Sequence, residues 1–124
     1  MLRLRLHMEF APEAIGEAAA VLRSLTGPVR AEPGCSETRL VRDADNRCAL
    51  TWVEEWRSEE MFEIHLRGAE FRRILAVMDL AARTPKVEID EVSSRRGFEL
   101  VEEILGLCRQ DGQRGAASKE TPVE

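Results

Sequence analysis

The sequence predicts an α+β domain of split βαβ order, a four-stranded antiparallel sheet with its two main helices on one face. Three observations predict it. The N-terminal stretch alternates apolar and polar residues with a strict period of two. Two later blocks carry apolar residues at helical spacing, each closed by a proline. The run between those blocks divides into two strand-like pieces joined by a polar reversal. At 124 residues the chain is sized for one globular domain. That domain is expected to occupy residues 1–105, including a short final helix, with 106–124 as a polar, Gly-containing disordered tail.

The first strand is the clearest element. Leu2, Leu4, Leu6, Met8 and Phe10 fall on one face, and Arg3, Arg5, His7 and Glu9 on the other. Ala11-Pro12-Glu13 places a proline suited to a first helical turn. Ile15, Ala18, Ala19, Leu22 and Leu25 then recur at helical spacing until Gly27-Pro28, the expected stop. Pro33-Gly34 marks a turn and Cys35 to Asp43 a weaker strand. Asp43-Ala44-Asp45-Asn46 is a tight reversal, because short polar side chains bond to nearby backbone. The hairpin partner runs from Cys48 to Arg57, with Cys48, Leu50, Trp52, Glu54 and Trp56 on one face and Ala49, Thr51, Val53 and Glu55 on the other. Ser58 before Glu59 and Glu60 reads as a helix N-cap, with acids where the helix dipole favours them. Met61, Phe62, His65 and Leu66 form one stripe. Gly68 breaks it, and Phe71, Ile74, Leu75 and Met78 carry the period on to Thr84-Pro85. Val87, Ile89 and Glu91 alternate with Glu88, Asp90 and Val92 in a fourth strand, and Phe98, Val101, Ile104 and Leu105 suggest the final helix.

With both helices on one face, the other face of the sheet is bare and carries Ala49, Val53 and Val92 among charges. The simplest cover is a second copy, which predicts a two-fold homodimer with sheets face to face. With 23 acidic residues against 18 basic ones, the net charge of -5 offers no footprint for nucleic acid or an anionic membrane. The longest apolar stretches are far below the roughly 20 residues needed to cross a bilayer, and the N-terminus reads as a strand, so a soluble cytoplasmic protein is expected. Cys35, Cys48 and Cys108 lie outside any Cys-x-x-Cys spacing and are expected to be reduced thiols. With only His7 and His65 as histidines, no metal site is expected.

Several segments together resemble the antibiotic biosynthesis monooxygenase family. They are Glu32-Pro33-Gly34-Cys35, the reversal from Asp43 to Arg47, and the run Trp52-Val53-Glu54-Glu55-Trp56-Arg57-Ser58-Glu59-Glu60 followed by His65-Leu66. The resemblance covers about residues 1–94, and its most specific part is Glu54, Trp56, Ser58, Glu59, His65 and Leu66. It implies that the ferredoxin-like unit pairs into a dimeric α/β barrel with a pocket between each sheet and its own helices. Relatives include cofactor-free oxygenases of polycyclic phenols, quinol oxygenases and haem-degrading enzymes. This chain has no tyrosine, which some of the oxygenases are associated with. It has His7-Met8-Glu9 where the haem-degrading branch is associated with an asparagine.

The reaction the resemblance implies is oxygenation of an electron-rich phenol or hydroquinone by molecular oxygen, with the substrate supplying the electrons. No cofactor is expected, and the chain has neither a Gly-x-Gly-x-x-Gly nor a phosphate-loop motif. A phenol of pKa near 10 losing its proton to a histidine near 6.5 is uphill by about 3.5 pH units, roughly 5 kcal/mol, so the pocket must also stabilise the oxyanion. His65, Trp56 and Glu54 are the candidate catalytic residues. His65 is a general base or donor, and Glu54 accepts a proton or holds His65 in one tautomer. Trp52, Leu50, Phe62 and Met78 are the candidate substrate-binding residues, with the indole N–H groups of Trp52 and Trp56 aimed at a ligand oxygen. The structural alternatives are a core histidine satisfied by backbone or carboxylate, tryptophans that are simple core, and a Glu54 paired with Arg39. The rival functions are a non-catalytic small-ligand-binding or stress-response dimer and, less favoured, haem binding.

Overall fold

The structure is a computed structural model and describes residues 1–107. The elements are β1 (Leu2–Glu9), α1 (Ile15–Arg30), β2 (Cys35–Arg42), β3 (Ala49–Trp56), α2 (Glu59–Leu66), α3 (Ala69–Met78), β4 (Lys86–Glu91) and α4 (Phe98–Leu105). Residues Met1–Ser93 form one unit, and α4 belongs to a second. Within the first unit the strands lie in the order β2-β3-β1-β4, and each neighbouring pair is antiparallel. This is the α+β, ferredoxin-like split βαβ sheet that the sequence predicts.

The alternation of β1 becomes burial directly. Leu2, Leu4, Leu6 and Met8 are buried, with Phe10 just beyond the strand. They join Ala18, Ala19, Leu22, Leu25 and Val29 of α1 and Ile74 and Val77 of α3 in one core. Each fully buried leucine or isoleucine contributes about 1.5–3 kcal/mol, so the stripe-on-stripe contact carries most of the fold.

Gly27-Pro28 does not stop α1, contrary to expectation. The helix passes through Pro28 to Arg30, with the Ala31 N–H still bonded to the Gly27 carbonyl at 3.0 Å. Proline costs a helix its own N–H bond and crowds the carbonyl four residues back. Burying Val29 completely offsets that cost, because only one more helical turn brings its side chain into the core.

The hairpin turn behaves as its composition requires. Asp43 Oδ1 accepts from the Asp45 N–H at 2.8 Å, and Asn46 Oδ1 accepts from the Cys48 N–H at 3.0 Å, which places Cys48 in the turn rather than in β3. Gly68 does break the second helical block. Its extended backbone separates α2 from α3, and Ser58 Oγ caps α2 by accepting from the Met61 N–H.

The face of the sheet away from the helices is a lattice of ion pairs rather than an apolar patch. Arg3 pairs with Glu55 at 2.8 Å and Arg5 with Asp90 at 2.8 Å, while His7 bridges Thr51 and Glu88 at 3.0 Å each. Val53, directly opposite both Arg5 and Arg39, is only 7% exposed, and Val92 lies beyond the end of β4. Among the described residues, Arg5 Nε is a buried donor with no partner.

In the second unit, α4 ends at Gly106 in the left-handed conformation, which closes the helix by a common C-terminal device. Of the tail expected at 106–124, residues 108 onward, including Cys108, lie outside the described residues. Among those described, no helix is long and apolar enough to cross a membrane.

Replacing Pro28 with alanine restores a helical donor opposite the Ser24 carbonyl. It is expected to stabilise the protein by about 1 kcal/mol, after the entropy that proline removes from the unfolded chain is allowed for. Urea denaturation of Pro28→Ala checks this, and a loss of stability contradicts it.

Candidate active site

Trp52, Glu54 and Trp56 follow one another on the helix-facing side of β3, because alternate strand residues share a face. All three are fully buried. Leu4 of β1 and Thr38 of β2 flank Glu54 across the strands, so the carboxylate is inserted directly into the core. An unpaired carboxylate there would cost several kcal/mol or take up a proton.

It is instead met by nitrogens at both oxygens. Trp52 Nε1 donates to Glu54 Oε2 at 2.7 Å, and Trp56 Nε1 donates to Oε1 at 2.8 Å. His65 arrives from α2 and places Nε2 2.9 Å from Oε2. The other ring nitrogen, Nδ1, lies 2.8 Å from Glu32 Oε1. Indole nitrogens only donate, and each imidazole nitrogen here faces a carboxylate oxygen. Glu54 therefore accepts both indole N–H bonds and faces His65 Nε2, and protonation of the imidazole lets each of its nitrogens donate to a carboxylate, Nε2 to Glu54 and Nδ1 to Glu32.

The titration of His65 follows from this geometry. Burial on its own pushes the imidazole's pKa down. The hydrogen bonds and negative charges of Glu54, and after it Glu32, together outweigh burial, so the net shift is upward from 6.5. Aromatic rings complete the enclosure: Trp56 stacks on the imidazole at 4.6 Å between centroids, and Phe71 meets it edge-on at 5.3 Å. A cation against an indole face adds further attraction in a desolvated setting.

Glu32 sits in the turn between α1 and β2, and the turn's glycine sets its position. Gly34 has φ +87, and a Cβ there would meet the Met61 Cβ at 2.5 Å. Only glycine lets this turn press against α2 closely enough to bring Glu32 to His65.

The sequence-predicted residues divide accordingly. His65, Glu54, Trp52 and Trp56 come together. Phe62 is buried beside them, its ring 6.3 Å from that of Trp56. Met78 packs half-buried at the end of α3, and Leu50 lies farther along β3. Two readings need correction. The indole N–H groups point at Glu54 and not outward to a ligand, because the buried carboxylate needs them. Arg39 pairs with Glu37 at 2.7 Å, since it lies opposite Val53 on the other face of the sheet. Two residues were assigned no role at the site by sequence reasoning: Glu32, whose place just before Pro33-Gly34 was the available signal, and Phe71, which looked like ordinary helical core.

Fold and site together define a small α+β domain whose helix-covered sheet buries an acid–base cluster among aromatic rings. The chain belongs to the antibiotic biosynthesis monooxygenase family, whose model matches residues 1–77. Solved structures share the fold. A crystal structure of an antibiotic biosynthesis monooxygenase is 23% identical, with 76% of this chain and 100% of that one covered and a TM-score of 0.68. Rv0793 from Mycobacterium tuberculosis is 24% identical over 77% of this chain and 98% of its own, with a TM-score of 0.70. PA3566 from Pseudomonas aeruginosa is 25% identical over 75% and 94%, with a TM-score of 0.66. No curated protein matches the chain.

A group whose folded pKa is raised stabilises the fold fully below its unfolded pKa and loses that contribution as pH rises through the folded value. The stability difference between wild type and His65→Gln is therefore expected to be largest below about pH 6.5 and to narrow above it. Urea denaturation across a pH series reads this, and a gap that widens toward alkaline pH contradicts it.

Proposed function

We propose that the protein is a cofactor-independent monooxygenase that oxidises a quinol or phenolic aromatic compound with molecular oxygen. The observation that carries the reading is the buried His65 imidazole, held between Glu54 and Glu32 and stacked on Trp56. Neutral His65 takes the phenol proton, and the imidazolium so formed stabilises the aromatic oxyanion in a water-poor setting; the anion gives up electrons to oxygen far more readily than the neutral phenol. The balance for a hydroquinone is simple. One oxygen atom joins the ring as a hydroxyl, the other leaves as water, and the ring supplies all the electrons and ends as a quinone.

His65 accepts the substrate proton only in its neutral form. Glu32, with a side chain 21% exposed, is the outer end of the route by which the Nδ1 proton reaches solvent. The cluster is covered by α2, a helix of eight residues between the Ser58 cap and the Gly68 break. Trp52, Trp56 and Phe62 form the aromatic wall, with Met78 at its margin, and Leu50, farther along β3, lies outside it. The working form is a homodimer in the cytoplasm. A second copy on the ion-paired face brings an acceptor to Arg5 Nε, the buried donor that lacks one.

A second reading, a non-catalytic small-ligand-binding or stress-response dimer, is favoured by one observation. Both indole N–H groups and both imidazole nitrogens are already satisfied within the protein.

Oxygen uptake by the purified protein against hydroquinones and polycyclic phenols, with enzyme-free controls for autoxidation, separates the two. Saturable uptake is expected to rise with pH through the raised pKa of His65 and to fall tens-fold or more in His65→Ala, on the usual scale of acid–base contributions. No uptake above the controls with any substrate rejects the oxygenase in favour of the binding dimer.

A further inference from the structure

Away from the Glu54–His65 cluster, α1 and the β2 edge of the sheet enclose a cleft of about 320 Å³. Four arginines line it, Arg23 and Arg30 from α1 and Arg39 and Arg42 from β2, over a floor of Leu40 and Leu50. Arg23 and Arg30 are two helical turns apart and share a face of α1. Arg42 stands directly opposite Leu50 in the β2–β3 register, on the side of the sheet that α1 covers.

The lining contains no carboxylate, although the chain as a whole carries a net charge of -5. Backbone carbonyls hold two of the guanidinium groups without neutralising them. Arg30 donates to the Thr38 carbonyl, and Arg42 donates to the Arg47 carbonyl at 2.6 Å. Arg39 alone has an acidic partner, Glu37 at the rim. Arg23 makes no hydrogen bond or ion pair among the described residues. Like charges gathered and oriented in this way repel one another until an anion joins them. Guanidinium forks match phosphate oxygens in pairs, and a phosphate dianion suits several of them at once. The leucine floor asks for an apolar body beside the charge, and the volume falls within the range of small-molecule sites.

We propose that this cleft binds a small organic phosphate monoester, with the phosphate held by Arg23, Arg30 and Arg42 and the apolar body resting on Leu40 and Leu50. The site is separate from the proposed oxygenase centre and does not rest on it. It also gives Leu50 a ligand of different chemistry from the phenol expected on sequence grounds.

The test is an NMR titration of the isotope-labelled full chain with phenyl phosphate, inorganic phosphate and phenol, each followed at the Leu40 and Leu50 amides. Phenyl phosphate is expected to saturate these shifts at one site, to bind several-fold tighter than either other probe, and to weaken as salt is raised. Arg23→Glu and Arg42→Glu, both at exposed positions, are each expected to weaken it about tenfold or more. Wild-type protein showing no saturable shift at Leu40 and Leu50 overturns the proposal without reliance on any variant. Equal affinity for inorganic phosphate overturns the assignment of an apolar body. Affinity unchanged in both variants overturns the arginine assignment.

Discussion

A carboxylate with no solvent exposure organises the helical side of this protein. Glu54 sits between two tryptophans on a central strand, and both of its oxygens have nitrogen partners: Trp56 at Oε1, and Trp52 and His65 at Oε2. The alternation of β3 fixes where the indoles stand. The Ser58 cap fixes the start of α2 and so the height at which His65 meets the carboxylate. The Gly34 turn fixes the approach of Glu32, which balances the imidazolium from its other side. Removing any of these leaves a buried charge or donor unpaired, which is the expensive condition for a protein interior.

Such a cluster is a poor device for stability alone. Well-packed apolar residues of similar volume commonly stabilise a core as well as a buried ion pair does, or better. A protein that keeps two carboxylates, an imidazolium and two indole donors in contact keeps them for their chemistry or for the uniqueness of the fold. The shared fold of relatives at 23–25% identity does not choose between these, because one fold hosts many activities. The side chains narrow the choice. In the oxygenase reading, the titratable groups at the site are His65 and its two carboxylates, and the chain carries no tyrosine.

Much of this is legible in the sequence, and what is not has identifiable physical reasons. Period-two alternation in β1 and β3 and the helical stripe through His65 put Glu54, Trp52, Trp56 and His65 on the same side of one sheet, because periodicity states directly which face a side chain occupies. Periodicity says nothing of a loop residue. Glu32 reaches His65 across 33 positions through the geometry of a glycine turn, and no local pattern announces that contact. The aim of the indole N–H groups was misread for a related reason. Strand spacing gives the face of a ring but not its partner, and the partner is decided by which nearby acceptor is most in need. Pro28 shows local propensity yielding to tertiary burial one residue later, at Val29. The arginine cleft was invisible for a third reason, since its four charges come from two elements separated in sequence and converge only after folding.

The central claim is that His65 is an imidazolium with a proton on each nitrogen, held between Glu54 and Glu32. Ring-nitrogen NMR of the two histidines across a pH series, with His7→Gln to assign them, tests it most directly. The account predicts that both His65 nitrogens stay protonated past pH 6.5, the ordinary midpoint, and that this midpoint falls in Glu54→Gln. A neutral, single-tautomer His65 that titrates below 6.5, or a midpoint indifferent to Glu54, would contradict it.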